Sequence, residues 1–460
     1  MKVEIAKKHS GEFIELHSRM ITRHGLITGA TGTGKTVTLK LLAEKMASLG
    51  ASVFLIDVKG DLNSFGEVGK LTSGLEHFLQ KHDLEAPIFQ KFSTLYWDIY
   101  NELGLPIRTT VMDFGPMLMA KLLKLNANQT NLLHTIYQIA DDEGLLLLDF
   151  KDLTQLVKHL YDHNKAFEAE YGTLNKQSLG AIQRALIASD IDVFFGESVL
   201  EIKDLFLKDG IINILEASKL ILNDKLYSAF LLWLLSELYE QLPEVGDLEM
   251  PKLVLFFDEA HLIFKGIPEV LLSKIEQVIK LIRSKGVGIF FISQSPSDIP
   301  DSIMAQLGNR IQHGIRSYTM KDIKHQMIPK EMLEKMKKYG VGEVSISVLD
   351  EDGVPTPFEE AVMLTPSSLI GKFENCNYYP EEQLNQKYRT PIDRNSAYEM
   401  LLKRQKNQVV SEQSTTKKRT RRGRKPDSML TKLTKSLFSS FGRSLGTSLA
   451  RGIMGTLKKY

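Results

Sequence analysis

The chain of 460 residues has room for two or three domains, and its 43% hydrophobic and 25% charged residues are the balance of an ordinary globular protein. A single cysteine, Cys376, excludes an intramolecular disulfide, and no apolar run approaches the roughly 20 residues of a membrane span. The net charge of +2 hides an uneven distribution: residues 417–425, KKRTRRGRK, are almost entirely basic, so the remainder is slightly acidic.

The first residues, MKVEIAKKHSGEFIEL, lack the apolar centre of a signal peptide, and a cytoplasmic protein is expected. The apolar HGLITG at 24–29 reads as a strand entering a glycine-rich turn. Gly29, Ala30, Thr31, Gly32, Thr33, Gly34, Lys35 and Thr36 match G-x-x-x-x-G-K-[ST] at every fixed position. VTLKLLAEKMASLG at 37–50 reads as the amphipathic helix leaving that turn, with Gly50 as its stop. Strand, turn and helix N-terminus together place backbone N–H groups around a polyphosphate, aided by the positive end of the helix dipole. Lys35 would reach the β- and γ-phosphates and the Thr36 hydroxyl would ligate Mg²⁺, so ATP and Mg²⁺ are the expected ligands.

SVFLIDVKGD at 52–61 is an apolar strand ending in charge, as a strand buried on both faces should be. Asp57 and Lys59 would emerge at its carboxyl end, where open α/β sheets place their chemistry. They read either as nucleotide-coupling residues or as a solvated strand end. Residues 63–205 exceed a minimal nucleotide-binding core. Apart from the strand-like FQKFSTLYWDIY they read as a mainly helical insertion whose Leu, Met and aromatic positions form a core. GIINILEAS at 210–218 returns to a strand, and YSAFLLWLLSELYEQL reads as a helix.

KLVLFFDEAHLIF at 252–264 has an apolar run followed by Asp258 and Glu259, a Walker B pattern. Asp258 would hold the Mg²⁺ shell and Glu259 would orient and polarise the attacking water. The letters DEAH invite a helicase-box reading. Roughly 220 residues separate Lys35 from Asp258, however, and nothing like the arginine-rich motifs of a second helicase motor domain follows. That layout is not the DEAH-box one, and Ala260 and His261 read as the residues after a Walker B strand.

Arg283 ends the next helical stretch, before GVGIFFISQSP at 286–296. In a parallel sheet that point lies at the edge opposite the phosphate loop. Arg283 would therefore reach a neighbour's ATP across a head-to-tail ring interface, with Arg310 and Arg316 as alternatives, or would simply cap its helix. Gln294, at the carboxyl end of that strand, is a candidate γ-phosphate sensor. NRIQHGI at 309–315 and GEVSISVL at 342–349 read as further strands, the latter paired with TPFEEAVML at 356–364 as an antiparallel edge. From about 405 the composition turns linker-like. Residues 428–460 carry apolar positions about four apart, an amphipathic helix interrupted by glycines. With the basic run it would touch nucleic acid, an anionic membrane surface, a protein partner, or its own ring.

The motifs RHGLITGATGTGKT, LFFDEAHLIF, IRSKGVGIFFISQSPSDIP and YGVGEVSISVLDEDGVPTPFEEAVML together resemble the bacterial DUF853 proteins, members of the HerA/FtsK group of P-loop ATPases. The resemblance covers most of the chain. It implies a RecA-like core and a homohexameric ring acting on duplex DNA. Lys35, Thr36, Asp258, Glu259 and Gln294 would hold the roles given above, and Arg283 would be the trans-acting finger. It departs from HerA in having about twenty residues before the first core strand, where HerA has a β-barrel. The expected organisation is an α/β core over 1–62 and 206–370, a mainly helical insertion over 63–205, a linker with the basic run over 371–427 and a helical tail over 428–460. The expected activity is ATP hydrolysis driving a DNA translocase. The alternatives are an ATP-driven module, or a nucleotide-gated switch, working on a protein or membrane-surface partner.

Overall fold

A computed structural model describes residues 1–189, 191–264, 269–316, 330–373, 382–390, 392 and 394–416. The basic run and the tail at 428–460 lie outside the described residues.

The strands are β1 (Lys2–Lys8), β2 (Phe13–His17), β3 (Gly25–Thr28), β4 (Ser52–Asp57), β5 (Thr94–Asp98), β6 (Leu105–Pro106), β7 (Ile212–Glu216), β8 (Leu253–Phe257), β9 (Val287–Ser293), β10 (Asn309–His313), β11 (Glu343–Ser347) and β12 (Glu359–Met363). They form one sheet in the order β2-β1-β12-β11-β10-β3-β9-β8-β4-β7-β5-β6. From β10 to β6 every pairing is parallel. From β10 through β11, β12 and β1 to β2 every pairing is antiparallel.

The parallel strands β3, β4, β8 and β9 are buried at every residue. Their side chains alternate between two cores. Phe54, Ile56, Leu255 and Phe257 face one, and Val53, Leu55, Val254 and Phe256 face the other. A strand covered on both sides has to be apolar throughout, which is why these four are continuous runs in the sequence.

The helices are α1 (Lys35–Ser48), α2 (Ser73–Lys81), α3 (Val111–Leu122), α4 (Ala127–Asp142), α5 (Phe150–Tyr171), α6 (Lys176–Ile187), α7 (Asp224–Gln241), α8 (His261–Phe264), α9 (Glu269–Ile282), α10 (Asp301–Met304), α11 (Lys330–Met336), α12 (Glu382–Arg389) and α13 (Ala397–Thr416). α1 contributes to the second core, while α3 to α7 and α9 build the first. Within 63–205 the four helices α3 to α6 dominate, and β5 and β6 extend the parallel sheet beyond β7.

Two details differ from the sequence reading. β11 and β12 pair antiparallel as expected, with Val344 opposite Ala361, but they are not the edge: β1 pairs with β12 through Ala6 opposite Met363, and β2 pairs with β1. The stretch at 371–427 contains α12 and the start-to-end length of α13. α12 is pinned by Tyr388, which packs edge-on against Trp97 at 5.3 Å and donates its hydroxyl to Asp204 at 2.5 Å. The chain divides into a compact unit of residues 1–402 and a second unit from 403, described as far as Thr416 and helical there. No described helix is long and apolar enough to cross a membrane.

Candidate active site

β3 delivers the chain into the loop 29–34, and α1 leaves it. Gly34 occupies the N-cap position with φ 104° and offers no side-chain cap, so the first N–H groups of α1 stay available to an anion. Gly29, at φ 152°, has a second reason to be glycine: a Cβ there would lie 2.5 Å from the Cβ of His313. The Lys35 ammonium donates to the carbonyls of Gly29 at 2.7 Å and Ala30 at 3.0 Å. Burial lowers its pKa, and Glu259 partly offsets this. Thr36 follows, half-buried in the first turn of α1.

The loop is held from outside by two segments. The carbonyl of Gly314, just past β10, accepts from Ala30 N at 2.9 Å, and Gly342 N donates to the Thr33 carbonyl at 3.0 Å. Between them stands His313, fully buried. Its Nδ1 lies 3.0 Å from the Thr33 carbonyl and its Nε2 3.0 Å from the Thr38 hydroxyl. A carbonyl can only accept, so Nδ1 carries the proton and Nε2 accepts from Thr38. Burial pushes this imidazole down to about 4, with Lys35 acting in the same direction.

Between β3 and β8 runs only β9. The carboxyl ends of these three strands therefore gather the phosphate loop, Gln294 and the pair Asp258–Glu259 at one edge of the sheet. Gln294 is exposed, and the turn after it is fixed by Asp298, which accepts from the Ser293 hydroxyl at 2.5 Å and from Ser295 N at 3.0 Å. Asp258 is buried; burial raises its carboxyl to about 6 against the pull of Lys59. Glu259 adopts φ 50°, a left-handed conformation uncommon for a non-glycine residue and found at functional turns. Its Oε1 lies 2.8 Å from Lys59 Nζ, while Oε2 has no hydrogen bond among the described residues and sits 3.4 Å from His261 Nδ1. Burial raises the Glu259 carboxyl, but the Lys59 contact together with His261 and Lys35 outweighs it and the net shift is downward.

The sequence left Asp57 and Lys59 open between two readings, and the structure separates them. Asp57 accepts backbone N–H groups from Lys59, Gly60 and Asp61 on one oxygen and from Leu62 on the other, at 2.7 to 3.3 Å. It shapes the turn after β4, and burial pushes its carboxyl up to about 7. Lys59, carried by that turn, reaches Glu259 and stands 4.0 Å from Asp258.

Arg283 is not brought to this edge. It precedes β9 at the opposite end, close to Asp247 at 3.5 Å. The seven residues of β9 put about 20 Å between that end and Gln294. Arg310, at the start of β10, donates to the carbonyls of Leu307 and Met304. Arg316 is exposed two residues beyond Gly314, on the phosphate-loop side. His313, Gly314 and Gly342 were not singled out in the sequence, whose only signal was two short strands ending near the motif's level.

The model of the helicase HerA-like C-terminal family matches residues 2–460. The DNA double-strand break repair helicase HerA of Sulfolobus acidocaldarius is 23% identical over 318 residues, 65% of this chain and 57% of that protein, so the chain spans a little over half of its length. Among solved structures, VirB4 of Thermoanaerobacter pseudethanolicus is similar with a TM-score of 0.53 at 14% identity, over 79% of this chain and 96% of that one. The bacterial conjugative coupling protein TrwBdeltaN70 is similar with a TM-score of 0.52 at 14% identity, over 79% and 89%. These two likenesses show the shared fold: the α/β, mostly parallel P-loop core expected from the sequence.

Proposed function

From its place in the helicase HerA-like C-terminal family, to which this chain belongs, we propose that the protein is a Mg²⁺-dependent ATP hydrolase working as a DNA translocase or helicase-like motor. The observation that carries this is the meeting of an intact phosphate loop with an adjacent carboxylate pair across a single intervening strand. The relative that is a DNA double-strand break repair helicase supports DNA, and duplex DNA first, as what the motor acts on.

The backbone of 29–36 and the start of α1 hold the triphosphate, and Lys35 exchanges its own loop carbonyls for phosphate oxygens. Asp258 and Thr36 suit a magnesium ion that takes most of its ligands from phosphate and water: one hydroxyl and one carboxylate buried against a single cation at 4.0 Å. When bound, the ion supplies charge neutralisation across the phosphates. Glu259, kept ionised by Lys59, orients and polarises the attacking water. Gln294 contacts the γ-phosphate position from the end of β9. Arg283, too far from its own site, completes that of the next subunit in a homohexameric ring.

The test is ATP turnover by the full chain at fixed salt, without DNA and with duplex or single-stranded DNA, beside Lys35→Ala. DNA stimulation that disappears in the variant is expected. Turnover that needs Lys35 yet ignores both DNA forms would sink the DNA-motor reading and favour a protein or membrane-surface partner. Turnover indifferent to Lys35 would sink the hydrolase assignment itself.

A further inference from the structure

Every residue of α7 from Leu226 to Leu235 is buried. The helix packs against α3 of the insertion and against α8 and α9, which follow β8. Phe230 and Trp233 meet the ring of Phe194, in the insertion, at 5.7 and 5.3 Å, and Phe194 meets Phe114 of α3 edge-on at 5.9 Å. In so apolar a setting a tyrosine has to be accounted for, because burying a hydroxyl is costly unless it finds an acceptor. Tyr227 is fully buried, and among the described residues the hydrogen-bond partner of its hydroxyl is the backbone carbonyl of Asp258, at 3.4 Å. Burial and the carboxylates of Asp258 and Glu259 hold its pKa above the ordinary value, so it remains a donor.

That carbonyl belongs to the peptide unit that joins Asp258 to Glu259, where the chain leaves β8 and turns left-handed at φ 50°. A non-glycine residue keeps such a conformation only where its surroundings impose it. Here both peptide units flanking Glu259 are held at both ends. In the first, the N–H of Glu259 donates to Asp258 Oδ1 at 2.9 Å and the carbonyl faces Tyr227. In the second, Ala260 N donates to the Ile292 carbonyl of β9 at 2.9 Å, and the Glu259 carbonyl accepts from Leu262 N at 3.0 Å. Of these four contacts, the one from Tyr227 is the only one made by a side chain of another element.

We propose that Tyr227 is a positioning residue for ATP hydrolysis: by fixing the peptide between Asp258 and Glu259 it aims the Glu259 carboxylate. The proposal rests on the hydrolase reading above. It also gives the helical insertion a task in the core, since the insertion helps to grip the helix that carries the hydroxyl. At 3.4 Å the contact is long for an O–H···O pair, so its removal should be felt in the orientation of Glu259 more than in the fold.

Steady-state kinetics of ATP turnover by the full chain with Mg²⁺, beside isothermal titration with ATP, decide the matter. Tyr227→Phe removes one oxygen atom. Its kcat should fall roughly five-fold or more, while KM and the affinity for ATP move less than about two-fold. Leu238→Val, about three turns further along α7, disturbs the buried helix without touching the turn, and should lower the melting temperature but not kcat. In a Glu259→Gln background, measured in single turnover, adding Tyr227→Phe should cause no further loss, because the group it aims is gone. Wild-type kcat in Tyr227→Phe, an equal fall in Leu238→Val, or the same loss in the Glu259→Gln background overturns the proposal and leaves the hydrolase reading standing. So does a Tyr227→Phe protein that no longer binds ATP, since the hydroxyl would then serve the fold. A wild type that binds ATP without turning it over sinks the hydrolase reading, and the role of Tyr227 with it.

Discussion

Asp258 and Glu259 are chain neighbours, yet their surroundings drive their carboxyls in opposite directions. Burial dominates at Asp258, raising it to about 6, whereas at Glu259 the Lys59 ammonium at 2.8 Å, joined by His261 and Lys35, outweighs burial. Two adjacent acids are thereby suited to two tasks. Lys59 owes its position to Asp57, whose four backbone hydrogen bonds fold the turn that carries it. Lys59→Met should therefore leave Glu259 buried without its principal counter-charge. We expect kcat for ATP to fall roughly 10- to 100-fold, in the range of a lost general-base contribution, with KM changing much less. Lys59→Arg should retain a substantial part of the rate. A Lys59→Met variant with wild-type kcat would show that the ion pair has no part in turnover.

At the scale of elements, β10 and the turn before β11 act as braces for the phosphate loop, and His313 is the joint. The ring must stay neutral to donate at Nδ1 and accept at Nε2, and burial holds it at about 4 against an ordinary 6.5. A folded-state pKa below the unfolded value contributes stability that is present above about 6.5 and is lost as pH falls towards 4. At pH 5 the loss amounts to about 2 kcal/mol. His313→Ala should be less stable than wild type at pH 7.5, by about 1–3 kcal/mol for two buried hydrogen bonds removed. The gap should narrow by about 2 kcal/mol at pH 5, because only the wild type must keep an imidazole neutral. Denaturant melts of both proteins at the two pH values measure this, and a constant gap would reject the joint. Such a brace is hard to read in advance. β3, β4, β8 and β9 announce themselves as apolar runs because both faces are covered, but nothing local to residues 309–315 says which loop their end will meet. β1 and β2 escaped notice for another reason: a flanking antiparallel strand buries fewer of its positions, leaving charged residues among them. α12 is polar except for Leu384 and Tyr388, so it resembles a linker until those two find their core.

For the whole molecule, the decisive fact is that β9 carries Gln294 at one end and follows Arg283 at the other, about 20 Å apart. A head-to-tail neighbour would bring the arginine end of one sheet to the phosphate edge of the next, which is how heterologous interfaces close rings. Among the described residues, the ion-pair partner of Arg283 is Asp247 at 3.5 Å, at that same end of the sheet. The ring reading predicts complementation. Arg283→Ala subunits retain Lys35 and lack the finger; Lys35→Ala subunits retain the finger and lack the loop lysine. Each variant alone should be nearly inactive. In a co-assembled equal mixture, a working site forms wherever an Arg283→Ala subunit is followed by a Lys35→Ala subunit on the donating side, about a quarter of all interfaces for random order. Turnover should recover towards about a quarter of the wild-type rate, and more slowly when preformed assemblies must first exchange subunits. An arginine acting within its own subunit would give no recovery at any mixing ratio, since neither chain then holds both residues. Full activity of Arg283→Ala alone would instead shift attention to Arg316, the exposed arginine beyond β10 on the phosphate-loop side.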